Sequence, residues 1–120
     1  MATALTAHRS GDHWLGLTFS SIKVNDVALT LTGAVATFQV RRSSGDAVLL
    51  DLRSDGIDPQ VTISTTVAGG PITVAAQNSL VIAPGNHVWE AEVKTSDGKI
   101  RTIGDGTWEI TTDVARRTYT

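Results

Sequence analysis

Ser96-Asp97-Gly98 lies between two runs that alternate apolar and polar residues. His87-Val88-Trp89-Glu90-Ala91-Glu92-Val93 leads into it, opened by Ala83-Pro84-Gly85-Asn86, and Lys99-Ile100-Arg101-Thr102-Ile103 leads out. After Gly104-Asp105-Gly106 the pattern resumes as Thr107-Trp108-Glu109-Ile110. An Asp-Gly pair between such runs predicts a tight hairpin, because the turn needs positive φ and these two residues tolerate it. The hairpin fixes the class as antiparallel β, with the returning strand expected to break at its glycines.

The rest of the chain agrees with that class. From Asp12 the residues alternate, which puts His13, Leu15, Leu17 and Phe19 on one face and Trp14, Gly16, Thr18 and Ser20 on the other. Asn25-Asp26 is a turn signal before Val27, Leu29 and Leu31. From Ala34 to Arg42, Ala36, Phe38 and Val40 are expected inward, and Val35, Thr37, Gln39 and Arg41 outward. Ser43-Ser44-Gly45-Asp46 turns the chain into Val48-Leu49-Leu50-Asp51-Leu52, and shorter runs follow around Ile63 and Ile72. Strands with turn signals between them, at about the 8–12-residue spacing of a sandwich or barrel, predict seven to eight strands in one β-sandwich. Ala75 to Ile82 reads as a loop or short extended crossing, being too short for an unsupported helix. The expected organisation is an N-terminal arm over 1–11, a single domain over 12–114 and a C-terminal tail over 115–120.

A chain of 120 residues with 41% hydrophobic and 18% charged residues suits one domain with one core. Ten basic and twelve acidic residues, spread along the chain, make no nucleic-acid footprint. The paired bases Arg41-Arg42 and Arg116-Arg117 fall far short of a patch. No run approaches the ~20 apolar residues of a membrane-spanning helix. The first residues lack the apolar segment of a secretion signal, which predicts synthesis and assembly in a cytosol. Cysteine is absent, so the fold owes nothing to disulfides or thiolate metal sites.

Chemistry is hard to find. His8, His13 and His87 have no metal-motif spacing, and His8 in the arm is expected in solvent, His87 against the core. Glu90 and Glu92 share a strand face, as a glycosidase pair would, but with Lys94 next in line they read as a solvated outer face. Asp51, Asp55 and Asp58 do not follow a calcium-loop pattern. No Gly-x-Ser-x-Gly elbow or phosphate-cradling loop occurs. The reading is therefore of a non-enzyme without cofactor or metal. Trp14, out of phase with its apolar neighbours, is the first candidate for a contact with another subunit. Arg41, Trp89, Trp108, Arg116 and Arg117 complete the interface candidates. A second reading makes Trp14, Trp89 or Trp108 the stacking platform of a carbohydrate-binding or adhesion module, provided the indoles are exposed.

One ordered set of motifs carries a resemblance. Gly11-Asp12 opens an alternating strand. Leu31-Thr32-Gly33-Ala34 precedes Thr37-Phe38-Gln39-Val40-Arg41, then Val48-Leu49-Leu50-Asp51-Leu52. Ala83-Pro84-Gly85 precedes the aromatic strand, then come Ser96-Asp97-Gly98, Gly106-Thr107-Trp108-Glu109-Ile110 and Asp113-Val114-Ala115-Arg116. From about residue 11 to residue 116 this order resembles the small β-sandwich proteins of tailed bacteriophages and prophages, the N-terminal domain of baseplate upper proteins being the nearest named relative. The resemblance implies an immunoglobulin-like sandwich and a structural role in the virion, as a tail or baseplate component, an adaptor or a capsid decoration. It implies no catalytic residues. A docking role of that kind makes a homo-oligomer, trimer or hexamer by closed symmetry, and other virion proteins the expected partners, while the charge balance and the lack of long apolar runs point to no nucleic acid and no membrane.

Overall fold

The computed structural model describes residues 2–112. Ten strands and no helix make up this part of the chain, two to three strands more than the spacing predicts. They are β1 (Ala2–Arg9), β2 (Leu17–Phe19), β3 (Lys23–Val24), β4 (Val27–Ala28), β5 (Val35–Arg41), β6 (Val48–Arg53), β7 (Val61–Ile63), β8 (Ile72–Val74), β9 (Gly85–Lys94) and β10 (Ile100–Thr111). One sheet has the order β1-β10-β9-β5-β6, and a second has the order β2-β8-β7. The run β10-β9-β5-β6 against β2-β8-β7 is the strand arrangement of an immunoglobulin-type sandwich. The surplus strands are β1 and the two-residue pair β3-β4. Asn25 and Asp26 turn that pair with φ of 51° and 63°, both in the left-handed region these residue types accept.

The core lies between the sheets. Phe38 and Val40 of β5, Trp89, Ala91 and Val93 of β9, and Trp108 and Ile110 of β10 meet Val61 of β7 and Ile72 and Val74 of β8. Leu31, Leu80 and Ile82 close it from the connections. The alternation read from Ala34 to Arg42 holds, since Ala36, Phe38 and Val40 are all fully buried. The hairpin also holds: Lys94 faces Ile100, Gly98 N–H donates to Thr95 O at 2.8 Å, and Thr95 N–H to Lys99 O at 3.0 Å.

Three expectations are corrected. The expected arm is a strand. β1 pairs with β10 in parallel, Ala2 opposite Asp105 and Leu5 opposite Trp108, so the large sheet is mixed rather than antiparallel throughout. Two indoles tie it down, Trp89 Nε1–H donating to Thr3 O and Trp108 Nε1–H to Thr6 O, each at 3.0 Å. Buried backbone carbonyls and indole N–H groups both require partners, and each supplies the other's.

Gly104 and Gly106 do not break β10. They lie inside it, with a bulge between Thr102 and Gly104. A Cβ on Gly104 would stand 2.8 Å from Phe19 Cε1 and 2.9 Å from Trp89. One on Gly106 would stand 2.6 Å from Thr3 N and closer still to the Thr3 carbonyl. These glycines exist because the core aromatics and β1 pass too close for any side chain.

The phase of residues 13–19 also changes part-way. Trp14 turns inward and Leu15 is 83% exposed, whereas Leu17 and Phe19 pack on the core. Gly16, at φ +80°, resets the alternation where the chain presses on Val74-Ala75-Ala76.

The C-terminal tail expected over 115–120 lies outside the described residues.

Candidate functional site

The outer face of the large sheet brings together Arg41, Glu90 and Glu92 of the polar residues singled out in the sequence. Gln39 of β5, Glu90 of β9 and Asp105 of β10 stand opposite one another in register. On one side of that row lie Arg41, Val88 and Thr107, on the other Thr37, Glu92 and Thr102. A shallow cavity of about 460 Å³ opens there, between the β5–β6 turn and the middle of β10. Glu90 and Glu92 are half-buried, their stems covered by neighbours across the sheet. Burial pushes the Glu90 carboxyl up from its ordinary value. The adjacent Glu92 and the Asp105 charge directly across the strand pair push it the same way, and Arg41 opposes them.

The carboxylates of this face repel one another, and among the described residues no histidine stands in these rows. The histidines are elsewhere. His87 is buried in the core, its Nε2–H donating to Ala83 O at 2.6 Å. His8 is buried too, against expectation, its Nε2 2.8 Å from Leu80 O and its ring 5.9 Å from Trp108. β1 carries His8 onto the inner face of the sheet, beside Trp108, while Thr6, Ala7 and Arg9 of the same strand stay exposed. His13, which the alternation puts on the face of Leu17 and Phe19, is exposed instead. Among the described residues no three His, Cys, Asp or Glu side chains are grouped to hold a metal ion. Asp51 and Asp55 pair instead with Arg53, at 3.6 and 2.9 Å.

The tryptophans are not a platform. Trp89 and Trp108 are 4% and 1% exposed. Trp14 is half-buried and lies against Phe38 and Trp108, ring centroids 5.6 and 5.2 Å away. Together with Phe19 they form one aromatic cluster between the sheets. Stacking on a sugar needs an open indole face, and this packing consumes the faces that would serve. Trp89 and Trp108 thus leave the set of surface candidates, while Trp14 keeps only its outer part open. Arg41 stays in it, half-buried at the end of β5. Arg116 and Arg117 lie outside the described residues.

A surface feature missed in the sequence adjoins Arg41. β6 is an edge strand, paired with β5 alone, and Arg41 faces Val48 across that pair. The register slips at this point so that Leu49 is the extra residue of a bulge. Val48 and Leu49 are 39% and 43% exposed. The signal was present, since three apolar residues in succession, Val48-Leu49-Leu50, cannot all face one core.

No family model matches the chain, and no curated protein is similar to it. A solved structure titled "Structure or murine CRIg" shares 16% identity over 92% of each chain, at a TM-score of 0.38. The sandwich described above rests on its own strand order.

Proposed function

We propose that this chain is a non-enzymatic assembly domain that works by docking against other protein surfaces, in the setting of a tailed-phage virion. The observation that carries the docking reading is the apolar end of β6: Val48 and Leu49 stand exposed on a sheet edge beside the half-buried Arg41. An edge strand leaves alternate backbone N–H and C=O groups without a partner, and exposed aliphatic side chains beside them favour a covering surface. The virion setting is supported by the ordered motifs from Gly11 to Arg116 and their resemblance to phage sandwich proteins. That setting makes a closed homo-oligomer and neighbouring virion proteins the expected partners. Burial of Trp89 and Trp108, with Trp14 packed against Phe38 and Trp108, counts against the carbohydrate-binding alternative.

The test is mass in solution by light scattering across a concentration series, on the parent chain and a Val48→Lys/Leu49→Lys variant. Assembly of the parent into a trimer or hexamer, lost in the variant, is the expected result. A parent that stays monomeric at every concentration and is missing from purified particles ends the proposal.

A further inference from the structure

Lys23 of β3 and Arg101 of β10 line a second cavity, of about 440 Å³, at the opposite end of β10 from the β1 contacts. Its rim is the β2–β3 connection, with the hydroxyls of Thr18, Ser20 and Ser21, and Thr102 joins from β10. Ile22, Leu29 and Ile103 make its apolar floor. Among the described residues no carboxylate lines it.

Arg101 is unusual in its position. It faces Val93 across β9-β10, and Val93 is fully buried on the core side. Cross-strand partners point to the same face, so Arg101 is directed inward, at the end of the sandwich, and not onto the polar outer face. Its Nε is buried and has no hydrogen-bond partner. Arg101 makes no ion pair within 4 Å among the described residues, where both ion pairs belong to Arg53. Asp97 senses the Arg101 charge, yet its Oδ1 is engaged by the Thr95 hydroxyl and, at 3.2 Å, by Lys99 N–H. The Arg101 charge thus has no ion-pair partner among the described residues, and the terminal N–H groups of a guanidinium suit a group with two anionic oxygens.

We propose that this cavity is an oxyanion-binding site, with the Arg101 guanidinium as its anchor, Lys23 as a second positive charge and the Thr18, Ser20 and Ser21 hydroxyls as neutral donors. The bound chemistry is a small group with two or more anionic oxygens, a phosphate or a carboxylate. The terminal N–H groups of Arg101 would meet the oxygens, and the hydroxyls would complete the shell, with no carboxylate among the described residues lining the cavity. This site is separate from the β6 edge, and it stands or falls independently of the docking proposal.

The experiment is a nuclear magnetic resonance titration of the labelled full chain with inorganic phosphate and, separately, with acetate, following the arginine Nε–H signals and the amides of residues 18–24 and 100–103. Saturable shifts confined to these residues support the site. Saturation with phosphate alone identifies a tetrahedral oxyanion, with acetate alone a carboxylate, and with both the shared chemistry. Arg101→Gln should weaken binding by about tenfold or more, the worth of one charge-assisted hydrogen-bonded contact. Lys23→Gln, on an exposed residue remote from the core, provides a second variant that keeps the fold and should weaken binding less. Absence of saturable shifts with both anions overturns the proposal, as does binding unchanged in both variants.

Discussion

Gly106→Ala should detach the first strand from the sheet. The added Cβ would lie 2.6 Å from Thr3 N and nearer still to the Thr3 carbonyl, where non-bonded carbon needs about 3.5 Å or more. β1 therefore has to retreat by roughly 1 Å. The Trp89 Nε1–Thr3 O bond, now 3.0 Å, would stretch past useful length. An indole N–H left buried without its acceptor costs about 1–3 kcal/mol, and the weakened pairing around Thr3 adds about 1 kcal/mol. The total of about 3 kcal/mol corresponds to a fall in Tm on the order of 10 °C for a domain of this length. Thermal unfolding followed by circular dichroism measures it, with Gly45→Ala as the control. Gly45 has φ +90° and nothing within 4 Å of a new Cβ, so that variant carries only the backbone strain of about 1–2 kcal/mol. If Gly106→Ala falls no further than Gly45→Ala, the close approach of β1 to β10 is not what selects glycine here, and the reasoning is refuted.

Two shorter predictions concern the core and the outer face. Trp14→Ala, which removes a half-buried ring from against Phe38 and Trp108, should cost about 3 kcal/mol in denaturant unfolding, at the low end for aromatic truncation because the site is partly open. A loss below about 1 kcal/mol, the ordinary level for a surface position, would return Trp14 to the surface. Glu90→Gln should stabilise the domain at neutral pH by about 0.5 kcal/mol, the size of a cross-strand like-charge contact. Because the Glu90 pKa is raised, the folded chain holds this proton to higher pH than the unfolded chain does. Stability should then fall as pH rises from the ordinary carboxylate range through the raised value. Unfolding measured on both sides of that range should show the parent losing more stability than the variant, and equal slopes would contradict the placement of these carboxylates.

How much of this was legible in the sequence depended on how local the deciding contact is. The Ser96-Asp97-Gly98 hairpin and the inward set Ala36, Phe38 and Val40 follow from neighbours along the chain, and both stand in the structure. Trp14 was misplaced because one residue, Gly16, changes the phase between it and Leu17, and alternation has no way to mark such a reset beyond the glycine itself. β1 was read as an arm because Ala and Thr give little hydrophobic contrast, and what holds it is supplied by Trp89 and Trp108, more than eighty residues away. Gly104 and Gly106 were read as a break for the same reason: their meaning lies in Phe19, Trp89 and Thr3, which only the fold brings near. The outer-face carboxylates were placed on the correct strand face, but their opposition to Asp105 depends on the register of β9 against β10, which the bulge at Ile103 sets.

The pairing of β1 with β10 also governs when the domain is complete during its synthesis. Ala2 meets Asp105 and Arg9 meets Thr111, so the first strand made waits for the last. At about 5–20 residues per second, roughly 5–20 s pass between them on the ribosome. Throughout that interval β1 is a strand without its partner, and the sheet that will receive it does not yet exist. Small, weakly apolar residues suit such a wait, because a segment of Ala and Thr offers a passing chaperone or a neighbouring chain little to hold. The same poverty of pattern that conceals β1 in the sequence is then what keeps it free until Trp108 emerges to claim it.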